Sequence, residues 1–127
     1  MDEAEQRWVE QAQYDLDTAK AMLESERFLY VLFCCQQAVE KALKALVVKR
    51  TSDFPPRVHN LIHLAETAGV ELQEGQSEFL GDLTAFYVRS RYPEQIKKLG
   101  PTITSDFANQ TLKKTETMIQ WLLSLLK

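Results

Sequence analysis

The chain has 127 residues, two cysteines, 26% charged side chains and a net charge of −3, the size and balance of one soluble globular domain spanning residues 1–127. A net negative charge argues against a general nucleic-acid binder. The apolar run at 28–35 is too short to cross a membrane, and the acidic opening MDEAEQ has no signal-peptide character. Adjacent Cys34 and Cys35 within one helical stretch cannot build a disulfide framework, so a reducing, cytoplasmic location is expected.

Taken in chain order, the pattern is helical throughout. Trp8, Ala12, Leu16, Ala19 and Leu23 recur every three or four residues and predict a first helix over 3–24. A tight connection at 25–27 turns the chain back into a second helix over 28–50. This stretch holds no Gly or Pro and is apolar on more than one face, so other helices must enclose it. Pro55 and Pro56 break the pattern. A shorter third helix is expected over 58–68, stopped by Gly69. A polar linker over 71–76 then leads to a fourth helix over 77–89, ended by Pro93. The stretch 92–103 reads as a loop turning at Gly100 and Pro101. Thr104 or Ser105 can cap a final helix. The expected fold class is all-α: an antiparallel up-and-down bundle of four main helices plus a short one.

Charge is segregated along this frame. Residues 39–63 carry 5 basic and 2 acidic side chains and residues 89–127 carry 7 and 3, whereas the segments 1–38 and 64–88 are acidic. Three groupings bear on chemistry. Within Gln36 to Leu46, Glu40 and Lys44 form a surface-type i,i+4 pair, but Gln36 and Gln37 lie beside apolar positions and need partners of their own. At the end of the fourth helix, Arg89, Arg91 and Tyr92 precede Pro93; arginine's planar fork suits phosphate, and the same arginines also suit a helix C-terminus. His59 and His63 stand four apart, a spacing that can share a metal. Nothing fixes a third ligand, so no metal or cofactor is assigned, and His59 reads as a helix-start or polar lining residue. The candidate ligand-binding set is Gln37, Lys41, Lys44, His59, Arg89, Arg91 and Tyr92, with Arg91 and His59 the weak catalytic candidates. Phe28, Tyr30, Phe33, Phe86 and Tyr87 exceed the needs of one stripe per helix and point to a homodimer.

Together, FCCQQAVEKALKAL, the Pro-rich break with HNLIHLA, and FYVRSRYP resemble the HEPN domain family of prokaryotes over essentially the whole chain. The resemblance implies a helical bundle, a homodimer, and a place beside a minimal nucleotidyltransferase in toxin–antitoxin-like pairs. Many such proteins are metal-independent endoribonucleases with an Arg, four to six residues, then His. Here no histidine follows His63, so the chain resembles the Arg-Tyr-Pro branch, for which nucleotide or RNA binding is implied. Three readings stay open: a binding and interaction module, a ribonuclease using another acid or base such as His59, and a structural partner subunit without a ligand.

Overall fold

A computed structural model describes residues 2–127. Helix α1, Glu3–Glu24, starts where the Asp2 carboxylate accepts the Glu5 N–H at 2.8 Å, satisfying one of the free donors of a helix start. Its buried stripe contains Ala12, Leu16 and Ala19. The chain then reverses within three residues. Glu26 takes a positive φ of 61°, and the Arg27 N–H returns to the Met22 carbonyl at 2.9 Å.

Helix α2, Phe28–Thr51, is the spine of the bundle, about 36 Å long at 1.5 Å per residue. It contacts α1, α3, α4 and α6. Ala38, Ala42 and Ala45 are fully buried, and their small side chains let neighbouring backbones approach closely. Leu32, Val39, Leu43 and Leu46 are equally inaccessible. This accounts for the apolar character on several faces. The helix ends at Ser52, which sits in the left-handed region and donates its N–H to the Val48 carbonyl.

Residues 52–60 run without helix to α3, Leu61–Thr67. This is shorter than the expected 58–68. The Asn60 side chain accepts the His63 N–H at 3.0 Å and so fixes the start, leaving Val58 and His59 outside the helix. Asn60→Ala should lower stability by about 1 kcal/mol in chemical denaturation, and the His59 ring resonances should broaden with it. Gly69, at φ +68°, stops the helix as the sequence indicates. The Arg50 guanidinium clamps this end through the Ala68 and Gly69 carbonyls.

Helix α4, Glu74–Arg89, begins three residues earlier than expected. The polar stretch read as linker supplies its start, with the Gln73 N–H donating to the Gln76 side chain. A second difference lies after it. Residues 92–103 are not a loop: Pro93 occupies the first position of α5, Pro93–Leu99, which runs into a 3₁₀ turn at Gly100–Thr102. Proline lacks the N–H that a first helical turn cannot use anyway and is pre-set to helical φ, so it ends one helix and opens the next. Helix α6, Ser105–Ser124, is capped by the Thr104 hydroxyl, which accepts the Phe107 N–H. The result is a helical bundle of four long and two short helices; no strand occurs among the described residues, and no helix there is long and apolar enough to cross a membrane.

Candidate functional site

The polar stripe of α2 defines the site. Gln36, Glu40 and Lys44 follow one another at four-residue spacing and all three are buried. The sequence suggested an exposed Glu40–Lys44 pair. Instead, Glu40 is 2% and Lys44 7% exposed, because the 52–60 segment and α1 cover this face. The Lys44 ammonium donates to Glu40 Oε2 at 3.1 Å and lies 5.5 Å from the centre of the Trp8 ring. A charge out of water needs such partners, and the indole face supplies a further attraction.

The other oxygen of Glu40 holds a histidine. His59 Nδ1 lies 2.8 Å from Glu40 Oε1, which also receives the Gln36 amide at 3.2 Å. The same amide donates to the His59 carbonyl at 2.8 Å. His59 is thus fixed to α2 at both its ring and its backbone. A carboxylate only accepts, so the Nδ1 contact places a proton there. Nε2 is then the nitrogen left to a ligand, on a side chain 46% exposed. The imidazole stands against Tyr87 of α4 at a centroid distance of 5.0 Å, and Tyr87 stacks on Phe33 at 5.3 Å and 22°. Tyr30 continues this aromatic row edge-on to Phe33. The Arg91 guanidinium lies 5.5 Å from the same Tyr87 ring.

The bundle therefore brings Gln37, His59 and Arg91 of the candidate set around Gln36, Glu40 and Tyr87. Gln37 donates to the Gln36 side-chain oxygen at 2.7 Å and is half-buried. Four other candidates are placed differently. Lys41 pairs with Asp15 of α1 at 2.9 Å, one helical step away from Glu40. Lys44 lies behind Glu40 rather than on the surface. Arg89 turns toward α5, its Nε donating to Gln95 at 3.1 Å. Tyr92, exposed, leads into α5. Neither Lys41 nor Lys44 stands free at the surface: one is tied to α1 and the other is enclosed.

Sequence reasoning assigned no role here to Glu40 or Tyr87. For Glu40 the sequence signal is weak: it lies in a helix apolar on several faces, but its spacing to Lys44 is that of an ordinary surface pair. His59 and His63 do not share a helix face, because α3 starts after His59. Among the described residues no group of three His, Cys, Asp or Glu side chains converges as a metal site. The cysteines are poor nucleophiles: burial, aided by the Asp15 carboxylate, pushes the Cys34 thiol up to about 11, and burial pushes Cys35 up to about 12.

The HEPN domain family model matches residues 5–125. This chain belongs to the HEPN domain family. Two solved structures share its fold: TT1696 from Thermus thermophilus, 23% identical over 94% of this chain and 96% of that one with a TM-score of 0.80, and ST0689, described as an archaeal HEPN homologue, 21% identical over 99% and 100% with a TM-score of 0.79. No curated protein matches the chain significantly. The HEPN assignment agrees with the family resemblance carried by FCCQQAVEKALKAL and FYVRSRYP.

Proposed function

We propose that this HEPN domain binds the phosphate groups of a nucleotide or of RNA on the face formed by His59, Tyr87 and Arg91, with Gln37 at its edge and Tyr92 beside it. The observation that supports this is the Glu40-braced imidazole and the Arg91 guanidinium set against one tyrosine ring. Guanidinium binds phosphate oxygens through two parallel donors, and an aromatic row offers a base a surface for stacking. The domain acts as a homodimer and pairs with a minimal nucleotidyltransferase, in a toxin–antitoxin-like arrangement. Family resemblance supports both partners, and a nucleotidyltransferase reading frame beside this one is the first observation to seek.

The test is a titration of ATP and of a short single-stranded RNA against the wild type, Arg91→Ala and His59→Ala at two salt concentrations. A charged hydrogen bond contributes about 1.5–3 kcal/mol, so each variant should weaken binding about 10- to 100-fold. The difference should shrink at high salt. Equal binding by all three proteins would remove this face from consideration.

A second reading is favoured by one observation, the Glu40–His59 contact. An imidazole oriented by a carboxylate is suited to general acid–base work. In an endoribonuclease, His59 Nε2 takes the 2′-hydroxyl proton as that oxygen bonds to the adjacent phosphorus. The bond from phosphorus to the 5′-oxygen breaks and that oxygen takes a proton from water, leaving a 2′,3′-cyclic phosphate and a 5′-hydroxyl. Cleavage of mixed RNA that disappears in His59→Ala supports this reading; RNA left intact after long incubation ends it and leaves a binding module. Binding of neither ATP nor RNA would leave the structural partner subunit as the remaining role.

A further inference from the structure

Residues 52–60 cross the polar stripe of α2 without helix, and no side chain among them is fully buried. Phe54 is 93% exposed, and Pro55, Pro56 and Val58 are only half-buried. Among the described residues, no backbone N–H from Arg57 to Asn60 donates a hydrogen bond. The bonds at the two ends are local. The Asp53 and Phe54 N–H groups turn onto the Thr51 and Asp53 side chains, and Asn60 caps α3. Between those ends two hydrogen bonds reach the rest of the molecule, and His59 makes both. Its carbonyl accepts the Gln36 amide at 2.8 Å and its Nδ1 lies 2.8 Å from Glu40 Oε1.

A segment with so few buried groups and hydrogen bonds opens at low cost. Neither end needs a helix to unravel, because α2 is closed at Ser52 and α3 is started by Asn60. Opening carries the imidazole away, while Gln36 and Glu40 stay on α2 and Arg91 stays at the end of α4. We propose that residues 53–59 are a strap that opens and closes in the native protein, fastened by His59 and held shut by a phosphate bound at His59 Nε2 and Arg91. This rests on the phosphate reading above and assigns the regulation of that site.

The coupling follows from one ring facing two ways. Nδ1 fastens the strap and Nε2 is offered to the ligand. A phosphate gains the imidazole only in the closed state, so it favours closure by the ratio of its affinities for the two states. Closure raises affinity by the same factor. One charged hydrogen bond makes that factor about 10 to 100. Drawing the strap off lowers affinity equally and leaves Arg91 alone on the phosphate, which is a route for release.

Limited trypsin digestion reads the open state, since cutting follows the open population when reclosing is fast. Arg57 is exposed within the strap, so the rate of cutting between Arg57 and Val58, followed by mass spectrometry, is the measure. In wild type this cut should precede any at helical lysines, and saturating ATP or the short RNA should slow it about 10- to 100-fold. His59→Ala should be cut about 10-fold faster without ligand, and ligand at saturation should slow it less than twofold. Gln36→Leu, which loosens the strap but keeps the imidazole, should be cut about fivefold faster and still be protected by ligand. Helical sites cut as early as Arg57, or a His59→Ala rate equal to wild type, would overturn the strap. A ligand that binds in the titration above yet leaves the Arg57 cut unchanged would overturn the coupling and leave the phosphate reading standing. Binding of neither ATP nor RNA would overturn both.

Discussion

Glu40→Ala should lower unfolding stability by about 3–5 kcal/mol, because it strands the buried Lys44 ammonium without its counter-charge. Few single changes in this chain should do more, against a total of about 5–15 kcal/mol for a domain of ordinary stability. The same change removes the acceptor for His59 Nδ1 and one acceptor for the Gln36 amide, so ligand affinity should fall with stability. Urea unfolding followed by circular dichroism gives the first quantity and ATP titration the second. The paired variant Glu40→Leu/Lys44→Met separates causes. Replacing both ions with apolar groups of similar volume is commonly neutral or better for stability. The double variant should therefore regain most of the lost stability while His59 stays unbraced and binding stays weak. A double variant as unstable as the single one would show that the stranded charge is not the reason.

Leu46→Ala should cost about 2–5 kcal/mol, with the upper half expected. Leu46 is fully buried on the spine helix. Neighbouring helices cannot close around the missing atoms without moving as rigid units, so the cavity persists. In contrast to Glu40→Ala, this loss should leave ligand affinity of the folded fraction within about twofold of wild type, because the residue touches none of the Gln36–Glu40–His59 hydrogen bonds. Comparing the two variants in the same titration separates damage to the fold from damage to the site.

Much of the fold could be read from residue spacing, and the exceptions have identifiable causes. The limits of α1 and the extent of α2 follow from apolar periodicity and from the absence of Gly and Pro. α5 was hidden because Pro93 carries two meanings: it forbids continuation of the preceding helix and suits the first position of the next, and only the path of the chain chooses between them. α3 looked longer because Val58 fits its periodicity, whereas Asn60 decides the start by a side-chain bond that composition cannot reveal. At the site, Arg91 and His59 could be singled out from residue type alone. Glu40 could not, since an i,i+4 Glu–Lys pair has the same spacing on a wet surface and in an enclosed one. Lys41, one position along, faces Asp15 instead of His59. A single step of helical rotation separates a side chain braced against His59 from one tied to α1.

The double hold on His59 has a consequence for when the site exists. Its imidazole and its carbonyl are anchored to residues 19 and 23 positions earlier in the chain, so no local helix formation can assemble it. A compact intermediate with every helix in place but the 52–60 segment undocked would have no imidazole beside Tyr87. In the native protein that ordering is part of folding itself, so no ligand is needed to set the orientation of His59 Nε2.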